Sequence, residues 1–178
     1  MMAFKIYRKH FLMEKLTLNM HCLIINRGKI EGMEDMEELA KVPYDEAFVV
    51  DLDAITHYRF NFKMYNELSK YIEFTLMAYP YKENDLMDII VSGASRVVIN
   101  DTLEIDTIKK FLDVTDELVM RCSDSEKAHM FHSLTGNMYL SCKIFNVPGV
   151  FFYYGPFLNR GPNIIPLENF PEELRIDC

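Results

Sequence analysis

Two aspartates stand where a short apolar run of the sequence ends. In the stretch AFVVDLDAITHYRFNF (47–62) the apolar residues lead to Asp51 and Asp53. Residues two apart in a strand face the same side, and α/β proteins place ligand-binding and catalytic groups at the carboxyl ends of parallel strands. We therefore take Asp51 and Asp53 as candidate catalytic carboxylates.

The same residue types also suit a structural role. Carboxylates at strand ends are often satisfied by backbone N–H groups or by a cation, and Arg96 is one candidate. Asp101 or Thr102 could cap the helix that follows it. His129 and His132 are three apart in a segment predicted as a strand, so they face opposite sides, and with no third ligand nearby we expect no metal site.

Short β-branched runs and helix-forming segments alternate between residues 19 and 123. The predicted strands are 19–26, 46–55, 72–79, 95–100 and 116–123, and the predicted helices are 31–42, 61–71, 82–93 and 101–114. Buried-looking strands that alternate with helices indicate βα units around a parallel sheet. We expect an α/β fold, a shortened TIM-barrel-like arrangement of five to six parallel strands.

The alternation stops after residue 124. Residues 128–144 read as two short strands around LTGN, which predicts a hairpin, and 149–154 read as one more aromatic strand. We divide the chain into a helical N-terminal extension (1–18), a barrel portion (19–145) and a C-terminal extension (146–178), all within one globular domain. The hairpin and the last strand could cover an open edge of the sheet; a second copy of the chain is the alternative.

Composition excludes several classes of function. The chain has 178 residues and a formal net charge of -8, which disfavours binding to nucleic acid or to an anionic membrane. No apolar run reaches the ~18 residues needed to span a bilayer. Cys22 and Cys122 lie in predicted strands and are expected to be buried free thiols, which together with the absence of a recognisable signal peptide points to the cytoplasm. No Walker loop or GxGxxG is present, so we expect no cofactor.

Several motifs together resemble the HisA/HisF family of histidine-biosynthesis (βα)8 barrels, especially the HisA branch, the phosphoribosylformimino-aminoimidazole carboxamide ribotide isomerases. IINRGKI (24–30) is similar to the first strand and turn of that family, FVVDLDAI (48–55) to its second strand, and GASRVVINDTLEIDTIKKFL (93–112) to its fourth strand and helix. ELVMRCSDSEKAHMF (117–131) resembles the fifth. The resemblance implies a phosphorylated small molecule as ligand, at a barrel mouth.

The resemblance also locates departures from the family pattern. Ile24 stands where the isomerase has a strand-1 carboxylate, and isoleucine cannot transfer a proton. The partner aspartate of the family falls at Ser123, and Asp124, one residue further on, is therefore the third candidate catalytic carboxylate. The phosphate-binding glycine turn falls at 77–80. The candidate ligand-binding residues carried by the resemblance and by the strand ends are Asn26, Arg27, Lys29, His57, Asn100, Asp101 and Ser123.

Two hypotheses for function follow. One is a ligand- or partner-binding relative that lacks the isomerase reaction. The alternative is an enzyme acting on a phosphorylated sugar or ribotide through Asp51, Asp53 and Asp124. A homodimer or a protein partner is possible under either hypothesis, and the two are separated by whether the three carboxylates share one pocket.

Overall fold

The computed structural model describes residues 19–155 and 163–175. The described strands are β1 (His21–Asn26), β2 (Lys29–Ile30), β3 (Glu46–Asp51), β4 (Glu73–Met77), β5 (Arg96–Asn100), β6 (Leu118–Arg121), β7 (Met138–Ser141), β8 (Val150–Tyr154) and β9 (Ile164–Ile165). The α-helices are α1 (Leu52–His57), α2 (Phe62–Leu68), α3 (Glu83–Val91), α4 (Ile105–Val114) and α5 (Ser125–Ser133). Three 3-10 helices cover Met36–Lys41, Leu167–Asn169 and Glu172–Leu174.

All nine strands form one mixed sheet in the order β2-β1-β3-β4-β5-β6-β7-β8-β9. Only β1 and β2 pair antiparallel; every other neighbouring pair is parallel. Because the carboxyl ends of parallel strands meet at one edge, the segments that follow β1 and β3 to β9 gather at the same end of the sheet. The prediction of an α/β fold with a mostly parallel sheet is confirmed.

The sheet is rolled into an incomplete barrel. Phe48 of β3 and Phe152 of β8 are five strand positions apart, about 24 Å in a flat sheet, yet their ring centroids are 6.3 Å apart. At the amino end of β1, the Met20 N–H donates to the Ile164 carbonyl at 2.8 Å, which brings the two sides of the sheet together. The concave face is therefore a filled interior and not an exposed surface.

Alternation along the strands divides the hydrophobic residues into an interior cluster and an outer cluster. The interior cluster holds Met20, Phe48, Val50, Leu52, Met77, Val98, Val119, Met138, Leu140, Cys142, Phe152, Tyr154, Ile165 and Phe170. The outer cluster lies between the convex face and the helices, and it includes Val49, Leu76, Ile99, Met120 and Tyr139 with Tyr65, Leu86, Ile108 and Phe131 from the helices. Both faces are buried, which is what a parallel sheet requires.

An ion-pair cluster lies at the amino-terminal end of the parallel strands. Arg96, which is half-buried, contacts Glu46 at 3.7 Å and Glu117 at 3.2 Å. The sequence had offered Arg96 as a cation for the strand-end aspartates; that expectation is wrong, because these aspartates lie at the opposite end of the strands.

The second half of the chain corrects the hairpin prediction. Residues 125–133 form α5, and LTGN ends this helix: Thr135 has φ 78°, and a Cβ on Gly136 would lie 2.4 Å from the Phe131 ring. β7 and β8 are parallel neighbours. Within residues 19–155 and 163–175, eight strands run parallel, where five to six were expected. The barrel portion does not stop at residue 145, because β8 and β9 belong to the same sheet.

The predicted helix at 31–42 is also shorter than expected. Only Met36–Lys41 is helical, as a 3-10 helix. Its start is fixed by a capping box in which Asp35 accepts from the Glu37 N–H and Glu38 accepts from the Asp35 N–H. The connection from β1 to β3 therefore places no α-helix on the outside of the barrel.

The predicted N-terminal helix of residues 1–18 lies outside the described residues. Cys22 is half-buried and Cys122 is buried, and both are free thiols. Within 19–155 and 163–175, no helix has both the length and the apolar character needed to cross a bilayer.

The C-terminal aromatic strand yields a stability prediction. Phe152 is 2% exposed and belongs to the interior cluster, whereas Phe151 is half-buried and packs on the outside. We expect Phe152→Ala to lower the free energy of unfolding by about 3–5 kcal/mol, the range for a fully buried phenylalanine, and Phe151→Ala to lower it by clearly less. Urea unfolding of both variants measures this, and equal losses would contradict an interior built on β8.

Candidate functional site

The strand that carries the candidate aspartates ends earlier than the sequence suggested. β3 stops at Asp51, and Asp53 lies in the first turn of α1, so the two residues do not share one face of a strand. The Asp51 side chain accepts a hydrogen bond from the Ala54 N–H at 3.1 Å and so acts as the N-cap of α1. This cap ends the strand at that point, since its hydrogen bond requires the chain to turn into a helix.

Asp51 faces the helices and not the barrel interior. It is fully buried, on the same side of β3 as Ala47 and Val49, which belong to the outer cluster. The Tyr65 hydroxyl of α2 donates to its carboxylate. The hydrogen bonds from the Ala54 N–H and the Tyr65 hydroxyl satisfy a carboxylate that is buried between β3 and the first two helices. They indicate a structural role for Asp51.

The Asp53 carboxylate is bound by the turn between β1 and β2. Its two oxygens accept the Arg27 N–H at 2.9 Å and the Gly28 N–H at 2.8 Å. Both turn residues have positive φ, 53° and 71°, the geometry of a two-residue hairpin turn. The Arg59 guanidinium approaches the same carboxylate at 3.6 Å. Two backbone N–H groups that could have bound a ligand anion are thus occupied by the protein's own side chain.

Asn61 joins the two aspartates. Its Nδ2 amide lies 3.1 and 3.0 Å from the two oxygens of Asp51 and 3.0 Å from one oxygen of Asp53. An amide nitrogen is a donor only, so placing it between two carboxylates offsets their mutual repulsion. The sequence placed an asparagine at the start of the following helix, and the structure shows that its side chain turns toward the aspartates instead of capping α2.

The two carboxyl groups differ in acidity. Burial raises the pKa of Asp51, although hydrogen bonds from Tyr65 and Asn61 oppose the rise. Burial acts on Asp53 in the same direction, but the hydrogen bonds led by that from the Gly28 N–H outweigh it and lower its pKa. Asp53 is therefore held as a carboxylate, which suits a permanent tie to the turn and not a group that exchanges protons near neutral pH.

Asp124 lies apart from this pair. It is exposed and caps α5 by accepting the Lys127 N–H at 2.9 Å. Because α5 follows β6, which is three strand positions from β3, a separation of about 14 Å in the sheet divides Asp124 from the other two. The structure brings Asp51 and Asp53 together and does not place Asp124 with them; a catalytic role for any of the three stays a prediction.

Asp101 and Ser123 are brought together. The buried Asp101 carboxylate accepts the Ser123 N–H at 2.8 Å and its hydroxyl at 2.6 Å. Asp101 therefore does not cap α4, whose N-cap residue is Glu104. The Lys127 ammonium donates to the Asp101 carbonyl at 3.1 Å, so this contact fixes the carboxyl ends of β5 and β6 against each other.

The other predicted ligand residues are spread over the same end of the barrel. Asn26 donates to Glu31 at 3.0 Å, and Asn100 accepts the Thr102 N–H at 3.4 Å. Lys29 and the side chain of His57, the last residue of α1, are exposed. The hydrogen bonds of Asn26 and Asn100 are thus made to residues close to them in sequence.

The barrel mouth contains a group that sequence reasoning missed. Arg121, the last residue of β6, is half-buried, and its Nε lies 3.4 Å from the Tyr154 hydroxyl of the interior cluster. Burial raises the pKa of Tyr79 just beyond β4, and the charge of Arg121 acts on it in the opposite direction, so this ring also lies near the guanidinium. Tyr79 has φ 51°, a conformation that costs a non-glycine residue energy and that is common at functional sites.

A signal for this group was present in the sequence. Arg121 ends the apolar run LVM and is the last residue of β6, as Asp51 is the last residue of β3. Ile24 of β1 packs against the interior cluster. It lies beside Val50 in the sheet. The mouth therefore presents an apolar side chain at β1 and a cation at β6.

Metal ligands do not cluster in the described part of the chain: no group of three His, Cys, Asp or Glu residues there could hold an ion. His129 and His132 lie on α5 and not on a strand, and both are exposed. The strand predicted for this segment is therefore wrong.

Comparison with protein-family models finds no match for the chain, and comparison with curated proteins finds none either.

The aspartate pair yields a prediction with a defined pH dependence. Asparagine has one acceptor oxygen where Asp53 uses two, so Asp53→Asn should cost about 1.5–3 kcal/mol at neutral pH, as for hydrogen bonds to a charged group. Because the folded-state pKa of Asp53 is lowered, its contribution is complete above the unfolded value of about 4 and disappears as pH falls through the folded value. Urea unfolding of both proteins across this range should show the stability difference shrinking in acid.

Asp51→Asn is the matched control. The raised pKa of Asp51 means that its charge lowers stability at neutral pH, and that this penalty is relieved as pH falls through the folded value. An asparagine keeps an acceptor for the Ala54 N–H and carries no charge. We expect a smaller loss than for Asp53→Asn at neutral pH; a larger loss would contradict the separate roles of the two residues.

Proposed function

We propose that this protein is a divergent relative of the HisA/HisF barrels that binds an anionic small molecule at its mouth and does not catalyse the ribotide isomerisation. The observation that carries the proposal is Arg121, a half-buried guanidinium at the carboxyl end of β6. In open and closed parallel barrels, ligands bind at this end of the strands. The residues favour binding over proton transfer.

The surroundings of Arg121 suit a phosphate or carboxylate group. A guanidinium presents several N–H donors in one plane and pairs with such anions bidentately, and partial burial strengthens the attraction. Tyr154 contacts Nε, and its hydroxyl is a further polar group at the same place. Asp101 acts electrostatically on Arg121 as well, but Ser123 donates twice to its Oδ2, which reduces the repulsion that an incoming anion would meet.

The absence of the isomerase reaction is supported by how the polar groups are used. Ile24 stands on β1 where the reaction needs a carboxylate. Asp53 is bound by the 27–28 turn, and Asp51 faces the helices. Proton transfer requires a group within hydrogen-bond reach of the substrate, and these carboxylates have their oxygens engaged elsewhere.

The alternative, an enzyme using Asp51, Asp53 and Asp124 on a phosphorylated sugar, needs the three side chains around one pocket. The three strand positions between β3 and β6 count against it, and no observation at Asp124 favours it.

Binding can be measured with simple phosphorylated probes. We expect ribose 5-phosphate to raise the melting temperature of the protein, and Arg121→Met to weaken its affinity about 10- to 100-fold, the equivalent of one lost hydrogen-bonded ion pair. Lys109→Met, which removes one exposed positive charge from α4, is the control and should leave the affinity unchanged. Equal weakening by both variants would mean that only the overall charge matters, and Arg121 would lose its proposed role.

The catalytic half of the proposal has a genetic test. The gene should not restore growth to an isomerase-deficient strain that requires histidine, because each missing acid–base group removes roughly 10²–10⁴-fold in rate. Expression is checked by immunoblot in the same cultures. Growth without added histidine would overturn this part of the proposal and leave the binding experiment unaffected.

A further inference from the structure

The segment that follows the last strand begins at the carboxyl end of the barrel. β9 runs parallel to β8 and ends at Ile165, so residues 166–175 start at the same end of the sheet as the proposed anion site. They form the two short 3-10 helices Leu167–Asn169 and Glu172–Leu174, each preceded by a proline. We call residues 166–175 the plug segment.

One face of the plug segment enters the barrel interior. Phe170 is buried and belongs to the interior cluster, and Leu167 and Leu174 pack against the same cluster. The Phe170 ring stacks on the ring of Tyr154, with the centroids 4.0 Å apart and an angle of 15° between the planes. Its centroid lies 6.4 Å from that of Phe48 on the opposite side of the interior. The segment therefore fills space inside the barrel.

The other face of the plug segment is acidic. Glu168, Glu172 and Glu173 are exposed, whereas the apolar residues at positions 167, 170 and 174 contact the interior cluster. The segment thus separates its side chains as a surface element does, with carboxylates in the solvent and apolar groups against the protein.

The plug segment is held together by its own hydrogen bonds. The N–H groups of Asn169, Phe170, Leu174 and Arg175 each donate to the carbonyl three residues earlier. The Arg175 Nε and Nη2 atoms donate to the Phe170 carbonyl at 2.8 and 2.6 Å. Among residues 19–155 and 163–175, no hydrogen bond joins the plug segment to a strand. Apolar contacts alone hold it in the interior, so it can detach as a unit without breaking the sheet.

We propose that the plug segment is an autoinhibitory device, which closes the barrel mouth and is displaced when an anionic ligand binds at Arg121. This inference rests on the function proposed above for Arg121. The Phe170 ring covers Tyr154, whose hydroxyl lies 3.4 Å from the Arg121 Nε, so the organic part of a ligand held by the guanidinium meets this ring. The three exposed carboxylates of the segment also repel an incoming phosphate. Both effects make the ligand prefer the open state.

The equilibrium between a closed and an open mouth sets the apparent affinity for the ligand. A ligand shifts such an equilibrium only when it interacts differently with the two states. Its apparent dissociation constant is the intrinsic constant divided by the open fraction. With an open fraction on the order of 10% or less, loss of the ring that keeps the plug segment in place should strengthen binding about tenfold or more.

Phe170→Ala tests this expectation by removing the stack on Tyr154. Calorimetric titration with ribose 5-phosphate should show about tenfold tighter binding than in the wild-type protein. Phe111→Ala on α4 is the matched control, because Phe111 is equally buried but belongs to the outer cluster, and its affinity should equal the wild-type value. Leu174→Ala should strengthen binding by a smaller factor, and it decides the matter if Phe170→Ala is poorly folded. Unchanged affinity in both plug-segment variants would overturn the proposal.

A fluorescence measurement follows the plug segment without any ligand. The chain contains no tryptophan, so Phe170→Trp introduces a single indole at the stacked position. In a urea titration, its emission should move to that of water-exposed indole before the far-ultraviolet circular dichroism of the barrel is lost, because the segment opens locally. Coincident transitions would show that the segment unfolds only together with the barrel, and autoinhibition by detachment would be wrong.

The plug segment and the anion site fail in different ways. Equal binding of ribose 5-phosphate by the wild-type protein and Phe170→Ala would leave the anion site standing and remove the autoinhibitory role. Tight binding by Phe170→Ala that disappears when Arg121→Met is added supports both. Tight binding that survives Arg121→Met would overturn both, since the segment would then cover a different site. If no variant binds the probe, the anion site fails and the autoinhibitory role fails with it.

Discussion

The binding of Asp53 by the two N–H groups of the Arg27–Gly28 turn organises one side of the barrel. It fixes the end of β1 to the start of α1, and through Asn61 it reaches Asp51 and the end of β3. Buried carboxylates are stable only when their oxygens are satisfied, so the positions of the turn, the strand end and both helices depend on one another. The same contacts engage the carboxylate oxygens of both acids within the fold.

Sequence reasoning succeeded where the signal is local. The predicted first residues of β1, β3, β4, β5 and β6 were correct to within a few residues, because buried parallel strands appear in a sequence as short apolar runs. The strand across Asp51 and Asp53 was extended too far because an N-cap aspartate and a strand aspartate look alike until the Ala54 N–H is seen to bond to one of them. Periodicity does not contain that information.

The errors further along have a different cause. The segment 125–133 is weakly amphipathic and ends in a Thr-Gly pair, so it matched a hairpin as well as it matched α5. Its helical state is decided by packing: Ala128 and Phe131 are buried in the outer cluster, and Gly136 gives the Phe131 ring room. Arg121 was missed for a related reason, since its contact with Tyr154 depends on β6 and β8 lying on either side of β7 in the sheet. Such contacts depend on the order of the strands in the sheet, and that order cannot be seen in one strand at a time.

The hydrogen bond between Met20 and Ile164 has a consequence for how the barrel is made. The two residues lie at nearly opposite ends of the described chain, so this contact has the largest loop-closure cost of any in the sheet. On a ribosome, β1 emerges early and must wait for β9, and until then the phenylalanines of the concave face are open to water and to other chains. The period of greatest risk of misassembly therefore falls between the synthesis of β3 and that of β9, and a chaperone that shelters apolar surface would act in that interval.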